Sequence, residues 1–257
     1  MEENKELELN NNESVSENET NLDDSASNQE LTDGNIQEKK WSELYASYIN
    51  KSFSNWDEYF QTKIKLKKKF LKLVLKYAST GKPVLECGAG TGKFSVYLSM
   101  LGLDVHALDL EKEMVEQTIN LSKTKHPENP VKAVQGDAFN IPYEDGTFSV
   151  THSSGVLEHY SDEEIVKLIN EQLRVSDVCV FSVPTAYFEK KMLGNERFLS
   201  RKKWREIISK SDATIIKETG YHYKTFKNRL KDIIKKPSRM FKPIALYVFV
   251  LKKKENK

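Results

Sequence analysis

The sequence VLECGAGTG, at residues 84–92, joins a short apolar run to three glycines at alternate positions. An apolar run of this length predicts a buried strand, and the helical pattern that begins at Lys93 predicts a helix directly after the turn. Glycine lets the backbone of such a turn adopt dihedral angles that a Cβ atom forbids, and it lets a ligand approach the main chain closely. The stretch therefore predicts a strand, a tight turn and a helix that together bind a ligand.

The spacing of the glycines argues against two nucleotide-binding motifs. A dinucleotide-binding G-x-G-x-x-G turn that starts at Gly88 requires a small residue at position 93, where this chain has Lys93. A phosphate-binding G-x-x-x-x-G-K-[ST] loop that ends at Gly92 requires glycine at position 87 and Ser or Thr at position 94. The chain has Cys87 and Phe94 there, so this motif fails at both ends.

With these two motifs excluded, the pattern that describes this stretch is an acidic residue followed by G-x-G-x-G. It consists of Glu86, Gly88, Gly90 and Gly92, and it resembles the first motif of class I S-adenosylmethionine-dependent methyltransferases. The resemblance implies that these residues, together with Ala89, bind the cofactor S-adenosylmethionine.

Two carboxylates end the next two predicted strands. Residues 103–109 read as a strand that ends about twenty positions after the glycines. The carboxylate of Asp109 can accept hydrogen bonds from both hydroxyls of a ribose there, although it could instead cap the following helix. By resemblance, Asp137 in the Gly-Asp turn of the third strand holds the adenine amino group, and Leu110 and Ala138 line the same site.

A fourth motif, IPYEDGTFSVTHSSGVLEHY at residues 141–160, is similar to a run found in the small-molecule branch of the family. The chain departs from that run at Ser149, where the family usually has Asp, and this predicts a weaker interaction at the start of the strand. The resemblance implies that Ser154 contacts the cofactor. His159 is a candidate general base, because a neutral imidazole can take a proton from an attacking hydroxyl or amine. The alternative is that His159 shapes the pocket beside the helix that begins near Ser161.

Three further residues are candidates for the acceptor pocket: Tyr160, Tyr187 and His222. Ordinary packing is the alternative for each of them. His152 lies inside the fourth strand, and we interpret it as structural.

Strand and helix patterns alternate along the chain, which predicts a parallel sheet covered by helices on both faces. The resemblance extends over roughly residues 56–220. It implies an α/β, Rossmann-like class I methyltransferase fold with seven strands, the last inserted antiparallel. Predicted helices occupy residues 94–100, 113–123, 162–173 and 200–211, and late strands occupy 178–183, 214–217 and 245–251, while leading helices fall within 41–80.

The first forty residues differ from the rest in composition. They carry 12 acidic residues against three lysines, a net charge of −9, and contain no aromatic residue. Such a segment cannot bury enough apolar surface to offset its ordering entropy, so residues 1–40 are predicted to form a disordered acidic tail and residues 41–257 the methyltransferase domain. No run approaches the ~18 apolar residues of a membrane span, and no signal peptide is recognisable, which predicts a cytoplasmic protein without a membrane partner.

Because the whole chain is formally +2, the residues after the tail carry +11. Much of this charge lies in a basic insertion at 221–243 and on a lysine-rich helix near 63–69, where a solvated surface is the simplest interpretation. Two cysteines, Cys87 and Cys179, predict buried thiols and neither a disulfide framework nor a structural metal site.

We therefore expect a methyltransferase that transfers a methyl group to an oxygen or nitrogen of a small-molecule acceptor. The alternative is a protein of the same fold that binds or modifies RNA or protein through its basic C-terminal segment, although nucleic acid is not the favoured partner. The oligomeric state does not follow from the sequence.

Overall fold

The computed structural model describes residues 40–185, 195–221 and 244–255. The elements are α1 (Trp41–Ser52), α2 (Trp56–Tyr77), β1 (Val84–Cys87), α3 (Lys93–Met100), β2 (Val105–Asp109), α4 (Lys112–Lys125), β3 (Lys132–Gln135), β4 (Phe148–Ser154), a 3₁₀ turn (Leu157–His159), α5 (Asp162–Val175), β5 (Ser176–Pro184), α6 (Arg201–Ser209), β6 (Ala213–Tyr221) and β7 (Leu246–Lys253).

The seven strands form one sheet in the order β3-β2-β1-β4-β5-β7-β6. The pairs from β3 to β5 are parallel, whereas β7 is antiparallel to both β5 and β6. This arrangement confirms the predicted fold class. Since β1 lies between β2 and β4, the strand order reverses beside it, and the carboxyl ends of these three strands meet where ligands bind in open α/β sheets.

Helices cover both faces of the sheet, as predicted. Neighbouring residues of β5 point to opposite faces of the sheet. Val180 packs in a core with α2 and α3, while Phe181 packs in a second core with α5 and α6. Both cysteine thiols are buried. β6 is longer than the predicted strand because its backbone pairs with β7 over nearly its whole length.

The start of β4 retains a hydrogen bond at Ser149, the position that departs from the family pattern. The Ser149 hydroxyl donates to the carbonyl oxygen of Pro83 over 3.1 Å, and its backbone N–H donates to the same oxygen over 2.9 Å. A serine hydroxyl can donate to a carbonyl whereas an ionised aspartate cannot. The strand is therefore tied to the residues that precede β1.

The interpretation of the lysine-rich segment of α2 as a solvated surface is correct only in part. Lys65, Lys68 and Lys69 are exposed, as a solvated surface requires, but Lys63 is only 8% exposed and Lys67 is partly buried. The predicted apolar stripe of α2 is otherwise buried at Tyr59, Phe60, Ile64, Phe70, Leu73 and Val74.

Several sequence predictions concern residues outside the described ranges. They are residues 1–39 of the acidic tail, the basic insertion after residue 221, and the candidate acceptor residues Tyr187 and His222. Among the described helices, none has the length and apolar character that crossing a membrane requires.

His152 lies in the core of the sheet. It is fully buried, its ring meets the Phe70 ring edge-on with the centroids 5.9 Å apart, and neither ring nitrogen has a hydrogen-bond partner within the described ranges. Burial lowers the pKa of His152 to about 3. The side chain is therefore neutral in the folded protein, where it packs as an apolar ring.

This burial predicts a pH-dependent loss of stability that a His152→Leu variant lacks. The unfolded chain binds a proton at His152 below its ordinary pKa near ~6.5, but the folded chain does not, so acid favours unfolding. Between pH 6.5 and pH 5 the wild type should lose about 2 kcal/mol relative to the variant. Urea unfolding of both proteins across this range measures the difference. A His126→Gln variant at a partly exposed histidine serves as control, and a wild-type-to-Leu difference that does not change with pH would contradict the account.

Candidate active site

The glycine turn after β1 is fixed by the end of β2. The backbone N–H groups of Gly88 and Ala89 donate to the carbonyl oxygen of Leu108 over 2.8 and 3.1 Å. The N–H of Gly90 donates to Asp109 Oδ2 over 2.7 Å. Gly90 has a φ of +55°, and a Cβ atom there would lie 3.4 Å from the Tyr45 ring. Glycine adopts this φ without a steric penalty, and the three hydrogen bonds hold the turn in one conformation.

Asp109 joins the glycine turn to the start of α4. Its Oδ1 accepts the N–H of Glu111 over 3.1 Å while Oδ2 accepts that of Gly90. Burial raises the pKa of Asp109, and the N–H groups of Gly90 and Glu111 partly offset this rise because they favour the carboxylate. Each carboxylate oxygen has two lone pairs, so each keeps the capacity to accept a ligand hydroxyl.

A cleft opens at the carboxyl ends of β1, β2, β3 and β4. We call it the glycine-loop cleft. It brings together eight residues that the sequence assigned to the site: Gly88, Gly90, Asp109, Leu110, Asp137, Ala138, His159 and Tyr160. Leu110 is 67% exposed and presents an apolar side chain to the cleft.

Four residues assigned to cofactor binding do not line this cleft: Glu86, Ala89 and Gly92, which lie behind the turn, and Ser154, which lines a second cavity described below. Glu86 is buried and accepts hydrogen bonds from the N–H and the hydroxyl of Ser95, at 2.9 and 2.5 Å, and burial raises the pKa of Glu86 to about 7. Ala89 is buried, and a Cβ atom at Gly92 would lie 2.4 Å from the Thr118 hydroxyl oxygen. Glu86, Ala89 and Gly92 hold the turn against α3 and α4 from behind.

Helix α1 covers the glycine-loop cleft with Trp41 and Tyr45. The carboxylate of Glu111 accepts hydrogen bonds from the backbone N–H groups of Trp41 and Ser42, at 2.5 and 3.1 Å. The first N–H groups of a helix have no partner inside it, and the N-cap residue Lys40 supplies none from its side chain. Glu111 therefore caps α1 from the far side of the cleft. No local sequence pattern indicates this contact, because its partners are some seventy positions apart.

His159 lies at the rim of the cleft in a fixed orientation. Its Nδ1 is 2.7 Å from Asn195 Oδ1, and its ring meets the Trp41 ring edge-on with the centroids 5.0 Å apart. Because the amide oxygen only accepts, Nδ1 carries the proton and Nε2 is the acceptor of the ring. Burial lowers the pKa of His159, although the hydrogen bond to Asn195 opposes the change.

A second cavity adjoins the cleft at Tyr45 and Gly155, which line both. We call it the lysine cavity because Lys63, Lys67 and Lys93 line it. Ser154, assigned by the sequence to the cofactor, lines this cavity and not the cleft, and so does Glu158. Gly155 has a φ of +81°, and its missing side chain leaves the junction between the two spaces open.

Residues 84–177 match the family described as "Methyltransferase domain". The match runs from β1 to the start of β5 and includes the glycine turn, Asp109 and Asp137. The chain contains a class I S-adenosylmethionine-dependent methyltransferase domain. S-adenosylmethionine is the cofactor of this domain family.

Individual relatives of the domain are similar over only part of their length. Norajmaline N-methyltransferase of Rauvolfia serpentina is 33% identical over 96 residues, which are 37% of this chain and 32% of that protein. Malonyl-[acyl-carrier protein] O-methyltransferase of Pectobacterium atrosepticum is 34% identical over 82 residues, 32% of this chain and 30% of that protein. The chain thus spans about a third of the length of these curated relatives.

The fold as a whole is similar to that of magnesium protoporphyrin IX methyltransferase from Synechocystis PCC 6803, solved with bound S-adenosylhomocysteine. The TM-score is 0.58, the sequence identity is 14%, and the match covers 82% of this chain and 93% of that chain. At this identity the similarity concerns the fold.

Capping of α1 by Glu111 predicts that a Glu111→Ala variant binds S-adenosylhomocysteine more weakly. Loss of two hydrogen bonds to a carboxylate loosens the cover of the cleft, and about 1 kcal/mol, or roughly fivefold in affinity, is expected. Isothermal titration calorimetry measures the effect. The matched control is Glu113→Ala, which removes only an exposed ion pair with Lys40 and should bind like the wild type. Equal affinities for the two variants would contradict the capping role.

Proposed function

We propose that this chain is an S-adenosylmethionine-dependent methyltransferase that methylates an oxygen or nitrogen of a small-molecule acceptor. The observation that carries the proposal is that the glycine-loop cleft meets the lysine cavity at Gly155 and Tyr45. One space is suited to the cofactor, and an adjoining space is available for the acceptor. Methyl transfer requires two ligands in contact, and two adjoining spaces supply that arrangement.

The residues of the cleft fit the cofactor. Asp109 offers carboxylate lone pairs for the ribose hydroxyls, and Asp137 offers an acceptor for the adenine amino group beside the apolar Leu110 and Ala138. Gly90 has no side chain to fill the space below Tyr45, so the main chain of the turn is accessible to a ligand.

When bound, S-adenosylmethionine supplies an activated methyl group on a positively charged sulfur. The chain orients the two ligands and excludes water, mainly through Trp41 and Tyr45 of α1. Two groups near the junction can take a proton from the acceptor. One is His159, which lies at the rim of the cleft with a neutral ring and stays our proposed general base. The other is Glu158, which lines the lysine cavity and whose pKa burial raises to about 7.

A small acceptor is supported by the norajmaline N-methyltransferase named above, and methylation at nitrogen or oxygen is supported by the two curated relatives together. The candidate acceptor residue Tyr160 lines the cleft beside His159. The alternative, binding or modification of RNA or protein, rests on a basic segment outside the described residues. The cytoplasmic location stays a prediction.

The proposal predicts that Asp109→Ala abolishes cofactor binding. The variant loses the acceptor for the ribose hydroxyls and also the acceptor for the Gly90 N–H, and each hydrogen bond to a charged group contributes about 1.5–3 kcal/mol. Affinity for S-adenosylhomocysteine, measured by calorimetry, should therefore fall by at least ~100-fold.

Asp104→Ala is the matched control, because Asp104 is a half-exposed acid beside the same strand, and its described partners are Lys132 and His106. It should bind like the wild type, and circular dichroism should report folded protein for both variants. A folded Asp109→Ala protein with an affinity close to that of the wild type would refute the assignment of the cleft.

A further inference from the structure

Three lysine side chains from α2 and α3 converge on the lysine cavity. Lys63 and Lys93 are each only 8% exposed. Lys63 and Lys67 are four residues apart, on the face of α2 that also carries Tyr59 and Phe60, and like charges at this spacing destabilise a helix. Taking an amine out of water is unfavourable, so apolar packing of the helix does not by itself account for lysine at these positions.

The amines of Lys63 and Lys67 both donate to hydroxyl groups. Lys67 Nζ donates to the Ser182 hydroxyl over 3.1 Å, and Lys63 Nζ donates to the Tyr48 hydroxyl over 2.8 Å. Within the described ranges, neither Lys67 nor Lys93 has a carboxylate within 4.0 Å.

Burial lowers the pKa of both Lys63 and Lys67 to about 7, and the neighbouring Lys93 adds to this effect, while Glu158 opposes it at Lys67. Burial disfavours the charged form of Lys93 as well, but the neighbouring Tyr59, Tyr45 and Glu86 raise its pKa.

Two carboxyl groups, those of Glu158 and Glu196, line the cavity together with the three lysines. Glu158 is only 3% exposed, its Oε2 has no hydrogen-bond partner in the described part of the chain, and burial raises its pKa to about 7. Near neutral pH its carboxyl is therefore partly protonated and able to donate a hydrogen bond. Three amines and one orphaned carboxyl oxygen thus surround space that a ligand can fill.

We propose that the lysine cavity binds an acceptor with an anionic group, a carboxylate or a phosphate, which Lys67 contacts together with Lys63 and Lys93. The apolar body of the acceptor packs against the aromatic walls formed by Tyr45, Tyr59 and Phe94. An anion gives the Lys67 amine, which has no carboxylate within 4.0 Å among the described residues, a charge-assisted hydrogen bond in place of one to a neutral hydroxyl. This inference rests on the proposed function, since it takes the lysine cavity as the acceptor site.

The test measures thermal unfolding of the full chain, saturated with S-adenosylhomocysteine, with three probes of similar shape. Benzoate carries a carboxylate, phenyl phosphate carries a phosphate, and benzamide is neutral. At equal concentrations, benzoate or phenyl phosphate should raise the unfolding midpoint whereas benzamide should not, and the anion that gives the larger shift identifies the group.

Lys67→Met is the decisive variant, and Lys65→Met, which removes an exposed lysine from the same helix, is its matched control. Lys67→Met removes a buried amine, so without a probe its midpoint should equal or exceed that of the wild type. Its affinity for the anionic probe should fall at least tenfold, while Lys65→Met should respond like the wild type.

Equal shifts for benzamide and the anions, no shift with any probe, or a full anion response in Lys67→Met would each overturn the inference. These results differ from failure of the proposed function, which would appear as an absence of stabilisation by S-adenosylhomocysteine itself.

Discussion

The hydrogen bond from the Gly90 N–H to the Asp109 carboxylate is the contact on which the site depends. It ties the glycine turn after β1 to the end of β2, so one side chain sets both the shape of the turn and the position of the acid that faces the cleft. The second oxygen of Asp109 accepts the N–H of Glu111, whose own carboxylate caps α1. The turn, the cleft and its cover are therefore linked through three residues at the end of one strand.

The second constraint is electrostatic and concerns α2. One face of this helix packs on the sheet, yet Lys63 and Lys67 on the same face line the lysine cavity. Buried amines and the buried Glu158 carboxyl lower stability unless a ligand or a proton compensates them. A protein selected only for stability would carry apolar residues at these positions. The arrangement is understandable where a functional site requires charge in a protected space.

The fold and the residues of the cleft followed from the sequence because local signals agreed: apolar strands, a glycine turn and carboxylates at strand ends. Glu86 and Gly92 lie behind the turn and do not line the cleft, a placement that sequence spacing does not indicate, because spacing does not tell a residue that faces a ligand from one that supports the turn. The burial of Lys63 and Lys67 was missed although its signal was present, since both fall on the same helical face as Tyr59, Phe60 and Phe70. Contacts such as that between Trp41 and Glu111 depend on tertiary packing of segments that are distant along the chain, so no local sequence pattern indicates them.

The most direct test of the account is thermal unfolding of the wild-type chain with S-adenosylhomocysteine, compared with ATP and NADH at the same concentration. A ligand bound only by the folded state stabilises it by about 2.7 kcal/mol at a hundredfold excess over its dissociation constant. For a domain of this size the midpoint should rise by ~2 to 4 °C with S-adenosylhomocysteine and not with the two nucleotides. No rise with S-adenosylhomocysteine, or an equal rise with ATP or NADH, would contradict the assignment of the glycine turn and Asp109 to this cofactor.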